Sequence, residues 1–97
     1  MAVIEVVTFR LAPGVDEDQF RAADQRAQTE FVYGRRGALR RTTARGSDGE
    51  WLVVTLWGSD HDADASATAA RDDEAMTRWG TFVDRSSVTT RRFDTLE

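Results

Sequence analysis

Few side chains in this 97-residue chain combine a reactive type with a setting that could use it. His61 is the single histidine and the only residue whose unperturbed pKa lies near neutrality, which makes it the obvious general base. It stands between Asp60 and Asp62 in a polar stretch, however, where a hydrated surface histidine is the ordinary outcome. No metal site is expected around it. A second histidine and any cysteine are missing, and the adjacent aspartates suit a helix cap. Glu5 is the stronger candidate. It shares an alternating row with Val3, Val7, Phe9 and Leu11, so a carboxylate sits among apolar side chains. If that row faces a cavity, Glu5 could take a proton from a substrate. The competing reading is a cross-strand ion pair with Arg91 or Arg92. Tyr33, the sole tyrosine, could donate to a ligand or rest at a rim. Trp57 could wall an aromatic site, or it could pack under a helix as core; Met76, Trp79 and Phe82 pose the same choice, and a helical stripe is usually core.

The elements that must position these residues are legible from pattern. Val3 to Leu11 alternates and is β-branched, as a strand requires, and Ala12-Pro13-Gly14 ends it. Asp16 then opens a helix, with Gln19 three residues on and Val15 and Phe20 placed as a hydrophobic staple. Phe20, Ala23, Ala27, Phe31 and Gly34 give that helix a narrow apolar stripe, and Gly34 to Gly37 breaks it. Ala38 to Arg45 reads as a more polar edge strand whose Arg40, Arg41 and Arg45 would be hydrated or bridge to acids across a dimer. Gly46 to Gly49 is a hairpin turn. A second helix starts at Ser59 and runs through Ala70, restarts near Asp72-Asp73, and carries Ala75, Met76, Trp79, Phe82 and Val83 at helical spacing. Ser87 to Leu96 alternates as a last strand. The order strand–helix–strand–strand–helix–strand predicts an α+β fold, a ferredoxin-like βαββαβ sandwich with a four-stranded antiparallel sheet, in a single domain over 1–97.

The strand from Gly49 to Gly58 carries the strongest architectural signal. Leu52, Val54 and Leu56 form one row, Trp51, Val53 and Trp57 the other, so both faces ask for cover. Two helices can cover only one face of a small sheet. Each Leu or Val left exposed on the other would forfeit roughly 1.5–3 kcal/mol. A homodimer joined sheet to sheet is therefore expected. The net charge of −4 argues against nucleic-acid and anionic-membrane partners. With no cysteine, disulfides and thiol chemistry are excluded. The opening Met1-Ala2-Val3-Ile4-Glu5 is no signal peptide and no stretch approaches membrane-spanning length, so a cytoplasmic location is expected.

Several functions use this topology. An RNA-recognition module would need stacking aromatics where the first strand has Ile4-Glu5-Val6-Val7, and a heavy-metal domain would need cysteines. An amino-acid-binding regulatory domain has only Pro13-Gly14 in its favour. The chain resembles the antibiotic-biosynthesis-monooxygenase-like members of the dimeric α/β-barrel superfamily. The likeness rests on Phe9-Arg10-Leu11-Ala12-Pro13-Gly14 followed by an acidic helix start and Phe20, and on Leu52 to Trp57 ending in tryptophan before a polar cap. It implies a homodimeric α/β barrel with a cavity between sheet and helices in each subunit. Glu5 would then be the catalytic candidate, with Val7, Phe9, Tyr33, Thr55, Trp57, Trp79, Phe82 and Arg91 around a small aromatic or polyketide-like ligand. Members that degrade haem use a first-strand asparagine and a second-helix histidine. Here Val7 takes the asparagine position and no histidine follows His61, so no haem and no other cofactor is expected. Two functions stand. One is a cofactor-free monooxygenase or cyclase, and the other is a non-catalytic accessory or ligand-sensing dimer.

Overall fold

Local rules account for each element of the computed structural model, which describes residues 1–96. Strand β1 (Val3–Leu11) leads to α1 (Glu17–Glu30), capped by Asp16, whose carboxylate accepts from the Asp18 N–H. After a 3-10 turn at Val32–Gly34 come β2 (Ala38–Arg45) and β3 (Trp51–Trp57). Ser59 caps α2 (Asp60–Ala70) and Asp73 caps α3 (Glu74–Thr81), so the second helical segment is broken where the aspartate pair was expected to restart it. Strand β4 (Val83–Asp94) closes the chain. None of these helices is long and apolar enough to cross a membrane.

The four strands form one antiparallel sheet in the order β2-β3-β1-β4, the ferredoxin-like arrangement the element order predicts. Strand β4 begins earlier than its sequence pattern suggests. Val83 pairs with Leu11 and Asp84 with Arg10, while the Ala12 N–H donates to the Phe82 carbonyl. Phe82 and Val83 are thus taken from the helical stripe by pairing with β1. The ladder is irregular between Thr8 and Arg10, where the Ser87 hydroxyl accepts from the Arg10 N–H and covers the break.

The helices cover one sheet face. Along β3 the row Trp51, Val53, Thr55 and Trp57 is buried, and Leu52, Val54 and Leu56 are only partly covered on the other face. Ile4 and Val6 share that open face by register, as does Phe93, which is 43% exposed. Under the helices lie two apolar clusters. One centres on Phe20, fully buried, with ring centroids 5.1 Å from Trp51, 5.9 Å from Phe9 and 6.2 Å from Phe82, the edge-on geometry aromatic rings prefer. The other gathers Phe31, Val32, Trp57 and Ala63. Just before β2, Gly37 holds φ +82° and a Cβ there would collide with the Asp62 side chain on α2, so glycine is required.

Candidate active site

Where the two clusters meet, their side chains leave a cavity of about 160 Å³. Its floor is the helix face of the sheet. Register places Glu5 opposite Thr55, Thr55 opposite Arg41, and Glu5 opposite Arg92. Arg92, Glu5, Thr55 and Arg41 therefore form one polar row across all four strands. Adjacent strands lie about 4.8 Å apart, so Glu5 and Arg41, two strands apart, are separated by roughly 10 Å at the backbone. Glu5, Thr55 and Arg41 line the cavity. Val7, Val53 and Trp79 close one side, Phe31, Trp57 and Met76 another, and Ala63, Ser66 and Ala70 of α2 form the roof.

Each end of the row is held by counter-charges. The Arg92 Nε donates to Glu5 Oε2 at 3.0 Å, and its Nη1 reaches Asp64 at 2.8 Å and Asp60 at 3.3 Å, tying β4 and β1 to α2. The hydrogen bond to Asp64 above all, with help from Glu5 and against desolvation, holds the Arg92 guanidinium above its ordinary pKa. Arg92 stays cationic at any working pH. At the other end Arg41, with a side chain only 4% exposed, donates from Nη2 to Asp24 Oδ1 at 2.8 Å and from Nη1 to Gln28 Oε1 at 3.3 Å. The same Asp24 oxygen accepts from Trp79 Nε1 at 2.9 Å, which fixes the indole that walls the cavity.

Between these ends lie two buried hydroxyl side chains and one unpaired indole N–H. Thr55 and Ser66 are buried, and Trp57 Nε1 is buried with no acceptor among the described residues. A buried N–H is ordinarily paired, so the unpaired Trp57 indole in the cavity lining suits an oxygen-bearing guest. Glu5 is the one carboxylate on the cavity wall. No group of three histidine, cysteine, aspartate or glutamate side chains is placed to hold a metal among the described residues.

The residues singled out from the sequence divide. Glu5, Val7, Thr55, Trp57 and Trp79 meet at the cavity. Phe9 and Phe82 lie instead in the aromatic core beside it, with Phe9 edge-on to Trp79 at 5.2 Å. Tyr33 is 47% exposed at the rim, where its hydroxyl accepts from the Arg41 N–H and donates to the Arg41 carbonyl. Arg91 faces away. It pairs with Val6 on the open face and stacks over Phe93 at 4.8 Å, since neighbours in a strand point to opposite sides and Arg92 takes the inner one. His61 is exposed and lines a separate polar hollow with Arg35, Arg36, Ser59 and Asp62.

Arg41 corrects the reading of the edge strand. It is neither hydrated nor reaching toward a second copy; it is buried under α1 against Asp24. Arg45 likewise pairs within the chain, with Glu17. A signal existed: Asp24 and Gln28 fall four and eight residues after Phe20, on the helix face that Phe20 and Ala27 bury. A charge on an apolar stripe needs a partner, and alternation on β2 offers Arg41.

Comparison with known proteins bears on the fold. A scan against protein-family models and a search of curated proteins found no match. Solved structures do match over nearly the whole chain. A protein from Bordetella bronchiseptica, assigned provisionally as an antibiotic biosynthesis monooxygenase, superposes with a TM-score of 0.82 at 15% identity, covering 99% of this chain and 98% of that one. A mutant of SnoaB, a cofactor-independent oxygenase from Streptomyces nogalater, gives 0.79 at 14% identity over 99% and 94% of the two chains. The chain has the antibiotic-biosynthesis-monooxygenase-like fold. Rv0793 from Mycobacterium tuberculosis shares this monooxygenase-like fold too, at TM-score 0.71 and 15% identity over 100% of this chain and 97% of that one. At such identities the likeness is one of fold.

Proposed function

We propose that this protein is a homodimer in which each subunit binds a small aromatic molecule over Thr55 and oxygenates it without metal or organic cofactor. Glu5 is the general base. The observation that carries this reading is an open cavity with a carboxylate and an unpaired indole N–H in its lining, since Trp57 and Trp79 line the space and do not fill it. A cavity near 150 Å³ takes about one aromatic ring, so a larger polyketide-like guest would have to project from the mouth. Glu5 would remove a proton from an activated ring carbon. Dioxygen would add to the carbanion, the proton would return to give a hydroperoxide, and loss of water would leave a carbonyl. One oxygen atom enters the product and the other leaves as water. Cavity donors would stabilise the charge that develops on the ring oxygen. Val7 in the asparagine position, and the lack of any histidine after His61, which does not line the cavity, support a site that does not hold haem.

The dimer follows from the open face. Leu52, Val54, Leu56, Ile4 and Val6 form an apolar surface that the helices do not reach, and sheet-to-sheet pairing would dry it. A second reading has its own support. Glu5 is engaged by Arg92 at 3.0 Å, and a purely structural pair would suit a ligand-sensing or accessory dimer on the same scaffold. Oxygen consumption with electron-rich single-ring phenols separates the two. Turnover by the wild type that falls by about 10²–10⁴ in Glu5→Gln, and only a few-fold in His61→Ala, identifies the base. Glu5→Gln that lowers stability and leaves turnover intact would assign Glu5 to structure alone.

A further inference from the structure

We infer that Arg41 is the anion anchor of this cavity, and that the ligand is a one-ring aromatic carrying an anionic oxygen directed at the β2 end of the floor. The inference rests on the reading that the cavity takes a small aromatic molecule, and it goes further by assigning the guest's charge and orientation. A guanidinium offers five N–H donors. Two of Arg41's are used, by Asp24 and Gln28, and the other three have no acceptor among the described residues. The side chain is almost wholly buried and lines the cavity, so the donors not spent on Asp24 and Gln28 are open to an acceptor that occupies that space. Thr55 beside it, Ser66 above it and the unpaired Trp57 indole add donors around the same space. Such a wall is suited to an acceptor and, with a fixed cation in it, to a negatively charged one.

The remaining charges set the direction. Glu5 at the β1 end is ion-paired with Arg92 and offers acceptors only, while at the β2 end, two strands away, Asp24 holds the donor fork of Arg41 in place from the α1 side. The carboxylate or phenolate oxygen of a guest therefore points to Arg41. Its ring lies over Thr55 and Val53 between Trp57 and Trp79, and its far edge reaches Glu5. The chain's net charge of −4 works against non-specific anion binding, so a preference for the acid over a neutral isostere, read at Trp57 and Thr55, reports this site.

Benzoate and benzamide, nearly identical in shape and different in charge, are the probes. Titration of the full chain at pH 7, followed by nitrogen–proton NMR of the Trp57 indole and the Thr55 amide, should show benzoate binding at least about tenfold tighter than benzamide. The preference should vanish in the double variant Asp24→Asn/Arg41→Gln, which removes both buried charges together. If that variant does not fold, the wild-type comparison decides alone. Equal binding of the two probes with both signals shifting would overturn the anchor and leave the aromatic cavity standing. Benzoate shifts confined to the Arg35–Arg36 hollow would also overturn it. Failure of both probes to shift Trp57 or Thr55 would overturn the anchor and the cavity reading together.

Discussion

Asp24→Ala is a sharp test of whether the charged row is built into the fold or laid upon it. Asp24 is 14% exposed and its Oδ1 receives two donors, the Arg41 guanidinium at 2.8 Å and the Trp79 indole at 2.9 Å. Alanine leaves a 4%-exposed guanidinium without its counter-charge and an indole N–H without an acceptor. Removing one partner of a buried pair costs about 3–5 kcal/mol, because the remaining charge cannot regain water. The indole adds less than its separate worth, since both donors share one oxygen and relax together. A domain of this length has roughly 5–15 kcal/mol in total, so the loss should lower Tm by about 15–30 °C. Asp24→Asn keeps an acceptor for Trp79 and should lose about half as much. Glu30→Ala is the control. It breaks an exposed i,i+4 pair with Arg26 at 2.9 Å and should change stability by less than about 0.5 kcal/mol. Urea unfolding of the three variants at one pH measures the differences. Should Asp24→Ala cost less than 1 kcal/mol, Arg41 reaches solvent easily, and the burial argument for this end of the cavity fails.

Further outcomes are expected. Val54→Asp should dissociate or unfold the protein, by placing an unpaired charge in a dry interface, and sedimentation at micromolar concentration should show about twice the chain mass for the wild type and not for the variant. Titration with haemin should give no sharp, saturable Soret band at one equivalent per subunit. Arg92 has its pKa raised in the folded state, so its ion pairs stabilise fully below the unfolded value and are lost only as pH rises through the higher folded one. Thermal melts of wild type and Arg92→Gln should therefore differ by the same amount at pH 7 and pH 10.

The elements were legible because their signals are local. Asp16, Ser59 and Asp73 cap the helices they precede, and β3 shows its two apolar rows in seven consecutive residues. The start of β4 was not. Phe82 and Val83 continue the α3 stripe at helical spacing, and only pairing of Val83 with Leu11, across 72 positions by their numbers, decides that they leave the helix. Within the candidate site, Glu5 could be found from its own strand, because an acid in an apolar row is conspicuous without knowing the neighbours. Arg41 could not be found that way. Its strand is polar on both faces, so nothing in β2 alone says which arginine turns inward.

Composition, caps and alternation by themselves determined the secondary structure, the antiparallel α+β class, the lack of thiol chemistry and the apolar face left over by too few helices. Tertiary structure decided what alternation leaves open, namely which charges meet. Register across β4, β1, β3 and β2 aligned Arg92, Glu5, Thr55 and Arg41 in one row, and put Arg91 on the opposite face one residue away. The physical reason is that a strand's side chains repeat every two residues, so a shift of a single residue exchanges the faces. That shift is settled by partners far off in the chain: Asp24 on α1 for Arg41, and Asp60 and Asp64 on α2 for Arg92.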